Sequence, residues 1–115
     1  MQKYDIIRLR HMLDAANESI HFARNKTRSS LDTDRQLALA LVKSIEIIGE
    51  AAANVSKEGR VETPQIPWPS IISMRNRLIH AYFDINLDIV WQTINEDLPP
   101  LVIELEKVLR ESNSL

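Results

Sequence analysis

The amino-acid sequence predicts an all-α fold, an antiparallel four-helix bundle whose last helix is kinked or split at Pro99-Pro100. Three observations lead there. Apolar residues recur at spacings of three and four in successive segments, the mark of helices with one buried face. Only two glycines and five prolines interrupt 115 residues, and no stretch alternates apolar with polar residues as a half-buried strand does. With 44% hydrophobic and 26% charged residues, the chain has enough apolar mass to offset the entropy of ordering it. At this length a single domain spanning residues 1–115, built on one core, is expected.

Helix one is predicted over roughly Lys3 to Arg24, where Ile6, Leu9, Leu13, Ala16 and Ile20 form one stripe. The cations Arg24, Lys26 and Arg28 follow its end. They fit either compensation of the helix's terminal carbonyls or contact with phosphate. Ser29, Ser30, Asp32 and Thr33 offer side-chain caps for the start of helix two, which is expected to run to about Ser56. Leu37, Leu41, Ile45, Ile48, Ala52 and Val55 share one face of it, and Leu39, Val42 and Ile47 widen that face. A helix apolar over so much of its girth has two neighbours: helix one, and a second copy of the chain. Gly59 and the prolines at 64, 67 and 69 predict a loop from Lys57 to Trp68, after which Pro69 suits the first turn of helix three. That helix carries Ile71, Ile72, Met74, Leu78, Ile79 and Tyr82. In the last segment Leu87, Trp91, Ile94, Leu98, Leu101, Leu105 and Val108 keep one phase straight through the two prolines. This predicts a kink, or two nearly collinear helices with Asp97 capping the second.

Composition excludes several function classes. The absence of cysteine removes disulfides, thiolate metal sites and cysteine nucleophiles. No apolar run reaches signal-peptide or membrane-spanning length, so a soluble cytoplasmic protein without membrane contact is expected. The formal charge of −2 gives no net attraction to phosphate backbones, so any nucleic-acid contact has to use a local basic patch.

The densest polar cluster within an apolar segment is MRNRLIHAYFD, which places Arg75, Asn76, Arg77, His80, Tyr82 and Asp84 within ten residues. If the helix continues, at about 100° per residue Asn76 and His80 share a face, as do Ser73, Arg77, His80 and Asp84, while Arg75 lies about 140° from His80. Arg75 and His80 can then converge only through the reach of the arginine or across a dimer interface. Taken by spacing alone, the cluster reads as a solvated helix face, and nothing in it requires an enzyme.

RNRLIHAY resembles the R-x-x-x-x-H-x-Y signature of HEPN ribonucleases, with a polar residue after the arginine. LRHMLDA, SIEIIGEAA, IPWPSIISMRNRLIHAYFDI and VWQTINEDLPPLVIELE resemble the HepT branch of that family. The chain is similar to HepT-like toxins over nearly its whole length, with departures confined to linkers such as KEGRVETPQ. The resemblance implies a helical bundle that forms a homodimer in which two copies of the signature face each other across a cleft. It implies that Arg75 and His80 are the catalytic pair, that Asn76 helps order the motif, and that Tyr82 lines the cleft. It further implies a type II toxin-antitoxin pair, in which a minimal nucleotidyltransferase antitoxin silences the toxin by transferring AMP to Tyr82.

The chemistry suits these residues. RNA carries its own nucleophile in the 2′-hydroxyl, so cleavage needs a base of near-neutral pKa and charge stabilisation on the phosphorane. Histidine titrates near 6.5 when unperturbed, and the arginine fork matches phosphate oxygens. No metal and no cofactor is required for a metal-independent endoribonuclease of this kind. Arg77 is a candidate for the flanking RNA phosphate, or for a surface ion pair with Asp84. His11 and His21 lack ligand spacing. Glu46 and Glu50 lack the facing carboxylates and histidines of a bundle metal centre. Trp68 and Trp91 read as core anchors rather than base-stacking platforms. The alternative function is a non-catalytic helical module that binds the nucleotidyltransferase.

Overall fold

In the computed structural model the described residues are 1–81 and 84–113, with side chains described over 1–78 and 84–112. Helix α1, Lys3–Ala23, forms where the first stripe predicts it. Its most buried line is turned by one residue from that stripe: Asp5, Leu9, Met12, Ala16, Ser19 and Ala23 lie inside, while Ile6, Leu13 and Ile20 are half-buried. Small side chains at 16, 19 and 23 let neighbouring helices come close.

The cap signals at 29–33 make a short turn, α2 (Ser30–Thr33), and the long second helix, α3 (Arg35–Ala53), starts after Asp34. The Asp34 carboxylate accepts a hydrogen bond from the Leu37 amide at 3.0 Å, meeting one of the donors left without partners in the first turn. Leu37, Ala38, Leu41, Val42, Ile45, Ile48 and Ala52 are all buried. Neighbours in the same chain, α1 and the elements after residue 67, cover most of this broad face. Of the three residues that widen it, Val42 is buried, Ile47 is half-buried against the core, and Leu39 stays 45% exposed.

The expected loop after helix two contains a helix of its own, α4 (Lys57–Glu62), capped by the Ser56 hydroxyl on the Gly59 amide. Asp5, on α1, is buried and accepts from both the backbone amide and the hydroxyl of Ser56, at 2.8 and 2.5 Å. This ties the start of α1 to the end of α3, so the two helices run antiparallel. Gly59 permits the approach, since a Cβ there would lie 2.6 Å from Asp5 Oδ2.

Helix three is two short helices, α5 (Trp68–Ile72) and α6 (Met74–Leu78), broken at Ser73. Pro69 falls in the first turn of α5, as its missing amide favours. Trp68 is buried and its indole N–H donates to the Thr63 carbonyl at 3.1 Å and the Thr63 hydroxyl at 3.2 Å, which makes it a core anchor. Trp91 is half-buried against the core. Helix three does not continue past Leu78. Residues Ile79–Ala81 form a strand, β1, paired antiparallel with β2, Asp84–Ile85. The shared helical faces expected for residues 73–84 therefore do not form.

The final segment comprises α7 (Leu87–Gln92), a π-helical turn (Thr93–Asp97) and α8 (Leu98–Asn113). The bundle's last helix is thus a joined series of pieces, as the prolines predict, and the join lies just before them. The Leu98 amide bonds five residues back to the Thr93 carbonyl. Pro99 and Pro100 have no amide to donate, and their rings crowd the carbonyls of the preceding turn; a wider turn relieves that crowding without breaking the stripe. Asp97 lies inside this helical turn rather than capping a new helix. Ile94, Leu98, Leu101, Leu105 and Val108 all reach the core, and α8 packs along α1.

Candidate functional site

Residues 75–77 are displayed by a simple device. Met74 and Leu78, four apart on α6, are both buried, while Arg75, Asn76 and Arg77 between them are exposed. The two apolar anchors fix the short helix against the core, and the three polar residues of the motif are left at the surface. The position of α6 is set one turn earlier. Gly49 of α3 faces the carbonyls of Ile71 and Ile72, at 3.6 and 3.9 Å from where a Cβ would stand, so α3 and the end of α5 pack closely. Following the chains in opposite directions from that contact brings Glu46 of α3 beside Arg75 of α6.

Arg75 Nε donates to Glu46 Oε1 at 3.4 Å. The Glu46 side chain is 23% exposed and that of Arg75 53%. Glu46 therefore faces a cation, and among the described residues no group of three or more His, Asp or Glu side chains is placed to hold a metal ion. No local pattern announces the contact, because its partners are 29 residues apart.

Arg77 turns the other way. Its Nη2 donates to the Ser70 carbonyl of α5 at 3.2 Å, and among the described residues it forms no ion pair with Asp84. The Asn76 amide donates to the Ser73 carbonyl at 3.0 Å, closing the turn that separates α5 from α6. His80 lies on β1. Ile79 pairs with Ile85 and Ala81 with Asp84, so the register shifts between residues 79 and 81 and leaves His80 as the extra residue of a bulge. Bulges bend a strand locally and recur beside functional sites. Tyr82 lies outside the described residues, as does the side chain of His80. A groove of about 300 Å³ adjoins β2, lined by Leu31, Arg35, Ala38, Asp84, Ile85 and Leu87 among others.

The basic cluster after α1 is divided. Arg28 bonds to Asp88 at 2.6 Å and Asp32 at 3.2 Å, pinning the α1–α2 linker to the start of α7. Its pKa is held above the ordinary value, first by the hydrogen bond to Asp88 and then by that to Asp32. Arg24 and Lys26 instead border a groove with Ile94, Asn95 and Pro99. No helix is long and apolar enough to cross a membrane among the described residues.

Comparison with known proteins adds the family. A protein of Caldanaerobacter subterraneus subsp. tengcongensis named "Putative RNase" is 36% identical over 103 residues, covering 90% of this chain and 92% of that one. A "Probable ribonuclease HepT" of Thermococcus cleftensis is 39% identical over 75 residues, 65% of this chain and 68% of the relative. A Methanocaldococcus jannaschii protein, also named "Putative RNase", is 32% identical over 97 residues, covering 84% and 89% of the two chains. No solved structure matches the chain. Residues 12–108 match the family described as ribonuclease HepT-like, and with the helical bundle this establishes that the chain belongs to the HepT-like ribonuclease family.

Proposed function

We propose that this protein is a metal-independent endoribonuclease, the toxin of a type II toxin-antitoxin pair, acting as a homodimer through Arg75 and His80. The observation that carries this reading is the display of Arg75 on α6, five residues before a bulged strand position occupied by His80, in a chain of ribonuclease kinship. His80 takes the proton of a ribose 2′-hydroxyl, and the resulting oxygen attacks the adjacent phosphorus. Arg75 stabilises the charge that builds on the phosphorane oxygens. The bond to the 5′-oxygen then breaks, that oxygen is protonated, and the products are a 2′,3′-cyclic phosphate and a 5′-hydroxyl. Two copies of the motif across a dimer cleft supply base and acid.

Asn76 orders the motif, and Arg77, held at the α5–α6 junction by one of its nitrogens, offers its remaining donors to a flanking phosphate. Tyr82 is the control point: transfer of AMP to its hydroxyl by a minimal nucleotidyltransferase adds negative charge and bulk two residues from His80, repelling and excluding RNA. Mass spectrometry after co-expression with such an enzyme tests this step, and activity lost while Tyr82 stays unmodified contradicts it. RNA cleavage by wild type beside Arg75→Ala and His80→Ala tests the activity itself; wild type that binds the nucleotidyltransferase but cuts nothing points to a binding module.

A further inference from the structure

We propose that Glu46 is a positioning residue for Arg75, fixing the guanidinium so that its two terminal nitrogens meet the scissile phosphate. The inference rests on the ribonuclease reading and adds to it a residue from outside the motif.

The hydrogen bond that Arg75 gives Glu46 comes from Nε. A guanidinium offers a phosphate two parallel hydrogen bonds most symmetrically through its terminal nitrogens. With Nε engaged, and with Arg75 more than half exposed, that terminal edge remains available to solvent and ligand. Glu46 can act as a fixed point because it sits on a helix of 19 residues, one turn before Gly49, where α3 packs closely on the α5 carbonyls. Arg75 by contrast stands on a helix of five residues with no regular helix after it. A long, rotamer-rich side chain on a short element gains most from a tether to a rigid one. The cost is that a carboxylate near the guanidinium weakens its pull on phosphate, which favours a role in orientation over one in raw binding strength.

The test is a double-mutant cycle on the full-length protein, with cleavage of a mixed-sequence RNA as readout. Glu46→Ala is expected to lower kcat roughly ten- to a hundredfold, the scale of a misplaced contributor, with a smaller change in KM. Glu46→Gln, which keeps an acceptor for Nε, is expected to recover part of that loss. In an Arg75→Ala background Glu46→Ala is expected to change the rate by less than about twofold, because its effect passes through the arginine. Equal losses in both backgrounds would show a general structural role and overturn the proposal. Thermal melts of each variant check folding, and the pair is exposed enough that they are expected to agree. If wild type leaves RNA intact, the ribonuclease reading fails separately. The tether is then decided by the Arg75 Nε–H resonance: protection from solvent exchange in wild type and its loss in Glu46→Ala support it, and no difference overturns it.

Discussion

Asp5 and Ser56 lie fifty-one residues apart in the chain and are joined by two hydrogen bonds, one to the Ser56 amide at 2.8 Å and one to its hydroxyl at 2.5 Å. The same hydroxyl accepts from the Gly59 amide and caps α4. One buried carboxylate thus organises the start of α1, the end of α3 and the first turn of α4. Asp5→Ala is expected to cost about 1.5–3 kcal/mol, the range for hydrogen bonds to a charged group, in urea unfolding followed by circular dichroism. Asp5→Asn, which keeps an acceptor, should cost less.

The two glycines are expected to respond differently to alanine. At Gly59 the new Cβ would lie 2.6 Å from Asp5 Oδ2 and 3.1 Å from Val55 Cγ1, so the carboxylate must move off Ser56; a loss of about 1–3 kcal/mol follows from overpacking. At Gly49 the nearest atoms are 3.6 and 3.9 Å away. That is ordinary contact, and the gain in helix propensity of about 0.5–1 kcal/mol should leave Gly49→Ala no less stable than wild type. Parallel denaturant titrations of the two variants check the contrast.

Trp68 holds the connection between α4 and α5 through its two bonds to Thr63. Trp68→Phe keeps most of the apolar surface and removes the donor, while the Thr63 carbonyl keeps the Ile66 amide and the Thr63 hydroxyl keeps the Gly59 carbonyl. A loss of about 0.5–1.5 kcal/mol is expected, the net worth of an ordinary hydrogen bond, read from the shift in unfolding midpoint at unchanged slope.

Sedimentation at micromolar concentration should give twice the monomer mass. Most of the broad α3 face is covered within its own chain, so the interface is expected to draw on the surface around Leu39, which is 45% exposed. Leu39→Asp is expected to weaken association and cleavage together; a stable monomer in wild type would contradict a cleft built from two copies.

How much of this was legible in the sequence depended on the range of the forces involved. The stripes of α1, α3 and α8 come from local periodicity and appear where the spacing puts them. The caps at Asp34 and Ser56 cannot be singled out locally, because several adjacent residues could cap and tertiary packing chooses among them. The Lys57–Glu62 helix was hidden by Gly59, which breaks helices on average but here makes room for Asp5. Ile79 and Tyr82 continue the apolar spacing of helix three, so nothing local announced that the helix stops at Leu78; a strand of three residues is too short to show a period of two. The π turn was concealed by a stripe whose phase survives it. At the site, the motif residues could be read by resemblance, while the Arg75–Glu46 contact belongs to helix packing and needed the structure.

Whether Arg75 and His80 cut RNA without a metal is decided by cleavage of RNA in excess EDTA by wild-type protein beside folded His80→Ala, with the product ends identified. Cyclic phosphate and 5′-hydroxyl ends are expected from wild type, and a rate at least a hundredfold lower from the variant. Equal cleavage by both proteins, or cleavage by wild type that vanishes with EDTA and returns with a divalent cation, would contradict the proposed mechanism.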